Sequence, residues 1–275
     1  MLDITTALAP ERAALLHLLT SLYPDDWARP TECPGWTVRD LALHILGDDL
    51  SLLSRQRDAE ASGLFGYAES HPGLDFMALL DGFNEQWVTA ASFLSPALIV
   101  ELLRVVGTWC DDFYGAVDLT TISREPIGYF RHPDLAPYWM LIAREYVERV
   151  IHQTQIRRAI GAPDLPPEVF AITATVVAHA AVRALPDRTT GTTVAVDLGS
   201  TGSWAWQRVA GDAGTAWRVV EASAVPDARI TIDPADAVAV LTRGVHRPAE
   251  VVTVAGDEDL AAEVLAAIDP LLARP

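Results

Sequence analysis

The chain has 275 residues, half of them hydrophobic, enough for one large core or two modest ones. Its formal net charge of −17 would repel a phosphate backbone or an anionic lipid surface, so neither nucleic acid nor membrane is expected as a partner. All 20 basic residues are arginine, which excludes Schiff-base and lysine general-base mechanisms and reads as the codon bias of a GC-rich genome.

At the N-terminus, MLDITTALAPER lacks the basic flank and apolar core of a signal peptide. Apolar residues at three- and four-residue spacing then predict helices over residues 7–23, 37–57, 75–94, 97–118, 139–161 and 167–185. Proline and glycine breaks in CPGW, SHPG, SP, REPIG and GAPDLPP separate them. The second helix has the best-marked start: Thr37 followed by Asp40 is a capping box, with a Pro34-Gly35 turn just upstream. No apolar run reaches the roughly 20 residues of a membrane span, since the best, PALIVELLRVVG, carries Glu101 and Arg104. Two cysteines, Cys33 and Cys110, make no disulfide framework. A soluble, cytoplasmic protein, monomeric or homodimeric, is expected.

After Pro186 the texture changes. PDRTTG reads as a linker, and TTVAVDLG, SWAWQRVAG, AWRVVEAS and ARITIDP alternate or are β-branched; the turns GSTG and GDAGT between the first three predict antiparallel hairpins. A helix at 234–243, a strand VVTVAG and a helix at 257–273 complete a small α+β domain. The expected fold class is mainly α followed by α+β, with a helical domain over residues 1–186 and the α+β domain over 192–275.

The segment REYVERVIHQTQIRRAIG, Arg144 to Gly161, carries the first candidate chemistry. Residues i, i+4 and i+7 of a helix share a stripe, so Glu148, His152 and Gln155 lie on one face, with Leu141, Ile151, Ile156 and Ala159 around it. Enclosed polar groups need partners, and a metal ion is one. The same residues also suit a solvated face on which Glu148 pairs with Arg144 or Arg149, so the pattern alone leaves both readings open. A third ligand would have to come from another helix. His71, His132 and His246 sit beside prolines in loop-like segments, and His17 and His179 read as fillers of Leu- or Ala-rich helices. His44 differs: it follows the capped start in DLALHILGDDL, with Asp48 one turn later.

The segment PTECPGWTVRDLALH, Pro30 to His44, followed about a hundred residues later by ERVIHQTQIRRAIG, Glu148 to Gly161, resembles the mycothiol-dependent maleylpyruvate isomerase family. The resemblance covers nearly the whole chain. It implies a metal-binding, DinB-like four-helix bundle followed by a smaller α+β domain similar to sterol-carrier proteins. It also implies His44, Glu148 and His152 as ligands of a divalent metal, usually zinc. Two imidazoles and one carboxylate leave a coordination position open, as catalytic zinc sites do. A closed structural site would need a fourth protein ligand, for which Cys33 is a candidate.

An open position suits a thiol, because zinc deprotonates a coordinating thiol and makes it a nucleophile at neutral pH. The resemblance implies mycothiol as that cosubstrate, in keeping with the GC-rich Gram-positive bacteria that make it. A thiolate that adds to a conjugated double bond and leaves again isomerises it; one that adds or displaces and stays performs S-transfer. The family's isomerase pattern uses an arginine on the helix after the first motif, whereas this sequence has none between Arg57 and Arg104 and offers Asn84 and Glu85 there. S-transfer to a small electrophilic metabolite is therefore the expected function, with maleylpyruvate-type isomerisation as the alternative. Arg104, Arg144 and Arg158 are substitute cations or salt-bridge partners. Gln155 stands where the family often has aspartate, and Asp48 is a further supporting group near the metal. Competing readings are a hydrolase on the same three ligands, and a non-catalytic protein whose C-terminal domain binds an apolar ligand, with Trp204, Trp206 and Trp217 lining a cavity or packing a core.

Overall fold

The computed structural model describes residues 1–60, 63–126, 135–211, 214–221, 225–242 and 248–272; His132 and His246 lie outside the described residues. Contacts divide the chain into two compact units, Asp3–Asp164 and Leu165–Pro275.

The first unit contains α1 (Thr5–Thr20), α2 (Val38–Leu52), α3 (Leu64–Ser70), α4 (Phe76–Ala91), α5 (Pro96–Ala116) and α6 (Tyr138–Ile160). Helices α1 and α2 each pack against both α5 and α6, which makes a four-helix bundle, while α4 covers α2 and α3 lies on α4. With neighbours on so many sides, α2 buries Leu41, Ala42, Leu43, His44, Ile45 and Leu46 in succession. A helix that is apolar nearly all round belongs in a core, and His44 is carried there with it. The helix runs on as one π-helical turn, Leu53–Arg57, to the end that the periodicity predicts.

A short helix and a pair of short strands in this unit are absent from the sequence reading. The helix α3 is seven residues long and contains a glycine, too short to show a period. A strand β1 (Ile122–Pro126) pairs antiparallel with β2 (Leu135–Pro137), where REPIG reads as a break. A five-residue and a three-residue strand leave no alternating pattern to find.

The second unit begins earlier than the linker at Pro186 suggests. The helix α7 (Pro167–Ala181) groups with it, followed by β3 (Thr193–Asp197), β4 (Ser203–Gly211), β5 (Gly214–Val220), β6 (Ala228–Ile232), α8 (Pro234–Leu241), β7 (Val252–Gly256) and α9 (Glu258–Leu272). The reason is burial: the buried face of α7 includes Phe170, Ala174, Val177 and Ala181, and the indole of the fully buried Trp206 donates to the Ala178 carbonyl at 2.8 Å. An apolar helix face goes with the sheet it covers, whatever the linker composition says. The sheet order is β5-β4-β3-β6-β7, with the expected antiparallel hairpins β3–β4 and β4–β5 and a parallel β3–β6 pair at its centre.

Trp204 and Trp206 line, with Val177, Leu198 and Ile230, an apolar cavity of about 20 Å³, room for about one water-sized sphere and far below an organic ligand. Trp217 is not among its lining residues and instead donates its indole N–H to the Pro186 carbonyl at 2.7 Å. Core packing therefore accounts for these tryptophans. Among the described residues no helix is long and apolar enough to cross a membrane.

The start of α2 is fixed as its sequence predicts. The Asp40 carboxylate accepts from the Thr37 backbone N–H at 2.9 Å and from its hydroxyl at 2.7 Å, while the Thr37 oxygen accepts from the Asp40 N–H at 3.4 Å. Thr37→Ala should therefore lower the unfolding free energy by about 1 kcal/mol, and Thr37→Ser by a few tenths at most. Urea denaturation of the three proteins at pH 7 measures the difference.

Candidate metal centre

The capped start and the turn before it hold His44 in place. Residues 31–36 close on themselves through Thr31 N–H to the Trp36 carbonyl at 3.0 Å and Trp36 N–H to the Cys33 carbonyl at 3.1 Å. The closure lays the Trp36 ring against His44, centroids 5.1 Å apart, and the Trp36 indole N–H is held by the Glu85 carboxylate of α4 at 2.7 Å. A second indole from α4, Trp87, donates to the Leu43 carbonyl at 2.7 Å, immediately before His44.

His44 of α2 and His152 of α6 meet at their Nε2 atoms, 3.1 Å apart, with the rings at 90°. Two donors on a tetrahedral zinc with bonds of ~2.0–2.1 Å would stand about 3.3 Å apart, so the pair is spaced as one ion would space it. His152 Nδ1 lies 2.9 Å from the Gln155 side-chain oxygen, which also accepts from Cys33 Sγ at 3.4 Å. Donating Nδ1–H to that carbonyl leaves His152 Nε2 as a bare lone pair, the form a metal takes. Glu148 Oε2 is 3.7 Å from His152 Nε2, and Asp48 Oδ2 is 3.7 Å from His44 Nε2. Among the described residues no three His, Cys, Asp or Glu side chains stand together at coordination spacing. The imidazoles converge, and each carboxylate stands 3.7 Å from its histidine. In kind, two imidazoles and a carboxylate are donors that a divalent ion takes.

The electrostatics agree with ligand chemistry. Burial pushes both imidazoles down to about 4, with Glu148 pulling His44 back up and the Arg144 charge pressing it down; for His152 the next cause after burial is His44 itself. Both rings are thus neutral at pH 7, as ligands must be. Burial raises the carboxyl of Asp48, opposed by Arg144, and raises Glu145 to about 7 against the same arginine. Arg144 Nη1 is 2.7 Å from Glu145 Oε1, so its first partner is a neighbour on its own helix while its charge reaches His44 and Asp48.

The other sequence candidates are dispersed. Arg158 pairs with Glu32 at 3.1 Å and Arg104 is exposed on α5. His71 stacks on Tyr67, 4.0 Å between centroids, at the surface. Cys33 reaches the Gln155 side chain, which is one bond removed from the candidate ligand His152. Two features were missed. Trp36 read only as part of a turn, although an indole following Pro-Gly can fold back on the helix it introduces. Arg149, offered as a solvated partner for Glu148, is instead buried and bonds Glu11 and Asp49.

Residues 8–157 match the family described as "Mycothiol maleylpyruvate isomerase N-terminal domain". Two solved structures resemble the chain, a mycothiol-dependent maleylpyruvate isomerase and a histidine-to-alanine mutant of one, each at 12% identity over 91% of both chains with a TM-score of 0.49. No curated protein matches.

The lowered imidazole pKa values set a pH dependence. Below the unfolded value of about 6.5 the unfolded chain takes up protons that the folded one refuses, so these two groups cost stability as pH falls, until the folded rings protonate near 4. Asp48 and Glu145, raised on folding, act in the opposite direction over this range. The comparison is therefore between metal-free wild type and His44→Gln/His152→Gln. The wild type should lose more stability to urea between pH 7 and pH 5 than the double variant; parallel losses would mean the imidazoles are not held neutral by burial.

Proposed function

Because the chain belongs to the mycothiol maleylpyruvate isomerase N-terminal domain family, matched over more than half its length, we propose that it is a mycothiol-dependent enzyme transferring the thiol to a small electrophile. The carrying observation is the buried pair of neutral imidazoles with converging Nε2 atoms. In this reading His44, His152 and Glu148 hold a divalent ion, with zinc first among candidates for a set of two imidazoles and a carboxylate. When bound, that ion supplies the acidification of a coordinating thiol.

The chain's own residues do the rest. Gln155 accepts the Nδ1 proton of His152 and so keeps its Nε2 free, and burial keeps both rings unprotonated at neutral pH. Trp36 leans its ring against that of His44 at an interplanar angle of 48°. Its own partner is a carboxylate, Glu85, so the α4 side of the site presents negative charge where a dianionic substrate would want a cation. A neutral electrophile suits that rim, and this favours transfer over isomerisation of a diacid.

Isomerisation is the second reading, favoured by one observation: the Arg144 charge bears on both His44 and Asp48, near enough to hold a substrate carboxylate if Glu145 releases it. The two are separated by incubating the metal-loaded protein and mycothiol with maleylpyruvate and, separately, with neutral alkylating electrophiles. A thioether product from the neutral electrophiles, lost in His152→Ala and with Glu85→Arg improving turnover of the diacid, is the expected result. Efficient conversion of maleylpyruvate by the wild type with no thioether formed would overturn transfer.

A further inference from the structure

One cluster of charged side chains lies outside the candidate ligands, and its placement is unusual. Glu11, Arg12, Asp49, Arg149 and Gln153 are all at most 4% exposed. Arg149 Nε lies 3.0 Å from Glu11 Oε2 and its Nη1 3.3 Å from Asp49 Oδ1, while Arg12 Nη1 reaches Asp49 Oδ2 at 2.7 Å. Gln153 Nε2 adds a bond to Glu11 Oε1 at 2.9 Å. Helices α1, α2 and α6 are thus joined by directional bonds at one level of the bundle.

That level is the level of the candidate ligands. Asp49 follows Asp48 and lies five residues after His44, and Arg149 follows Glu148 and lies three residues before His152. Arg149 and Gln153 of α6 turn to the network, and Glu148, His152 and Gln155, on the next stripe, turn to the site. The packing has been cut to admit the charges: a Cβ at Gly107 of α5 would stand 2.4 Å from Cδ, Nε and Nη1 of Arg12.

Stability does not explain the arrangement. Arg12 Nη2 and Arg149 Nη2 are buried without a hydrogen-bond partner among the described residues, Arg12 Nε has only the Asp111 carboxylate of α5 at 3.7 Å, and buried ion pairs are often no better than apolar residues of the same size. Apolar contacts slide with little penalty, whereas a forked guanidinium shared between two carboxylates fixes a distance and a rotation. The geometry points to a register lock: Arg149, bridging Glu11 and Asp49 with Arg12 alongside, is a positioning residue that sets α6 against α2 so that His152 and His44 present their Nε2 atoms to one point. The inference rests on the reading of His44, Glu148 and His152 as metal ligands.

Removing one charge would strand the others and unfold the bundle, so the test replaces the set. The full-length variant Glu11→Leu/Arg12→Met/Asp49→Leu/Arg149→Met should match or exceed the wild type in urea stability, yet bind zinc at least tenfold more weakly in competition with a chromophoric chelator. Arg149→Lys, which keeps the charge and loses the fork, should fall between. Zinc affinity equal to wild type in both variants would overturn the lock. If the wild type itself takes up no zinc, the metal reading has failed separately, and amide hydrogen exchange of the metal-free proteins decides: faster exchange around His44 and His152 in the fourfold variant at equal global stability supports the lock, and unchanged exchange refutes it. A variant that does not fold is replaced by Arg149→Lys alone, judged by the same two readouts.

Discussion

The structure depends on burying two imidazoles whose nitrogens stand 3.1 Å apart. The two rings cannot both be there as cations, since two positive charges at that distance in a site of low polarity would repel by several kcal/mol. Burial keeps both neutral, and a neutral pair so placed must share either an Nε2–H···Nε2 hydrogen bond or a metal ion that takes both lone pairs. Everything around the pair follows from that requirement. Gln155 selects the tautomer, Trp36 leans on His44, and the carboxylates of Glu148 and Asp48 stand 3.7 Å from His152 and His44.

Such a site has to be held by the scaffold, because its own groups are costly to enclose. The apolar body of α2, packed by α4, α5 and α6, supplies the burial. The capping box sets where the helix starts and so which residue reaches the interior at position 44. The ion pairs of Arg149 and Arg12 add direction where apolar packing would leave slack. Burial, helix start and register are three separate controls on the same few nitrogen and oxygen positions.

Much of this could be read in the sequence, for physical reasons. Long amphipathic helices carry their period openly, and α2, α5 and α6 appear within a few residues of their predicted limits. Thr37 and Asp40 announce a helix start because a capping box is a local interaction, complete within four residues. That His44 and His152 come together was legible only through two motifs a hundred residues apart, since no local rule brings α2 and α6 together. What failed was long-range in character. Arg149 looks like surface because arginine is charged, and only the buried Glu11 and Asp49 from other helices make its position intelligible. The helix α7 was assigned by linker composition, although its apolar face decides its partner. The short α3 and the β1–β2 pair had too few residues to show any pattern.

The central claim is that His44, His152 and Glu148 together hold one divalent ion. X-ray absorption spectroscopy of the purified, zinc-loaded protein tests it most directly. The account predicts about one zinc per chain, with the multiple-scattering signature of two imidazoles, an oxygen shell at ~2.0–2.2 Å, and a sulfur shell at ~2.3 Å that appears only when mycothiol is added. Zinc bound without imidazole scattering, a sulfur shell already present without mycothiol, or no zinc retained would contradict it.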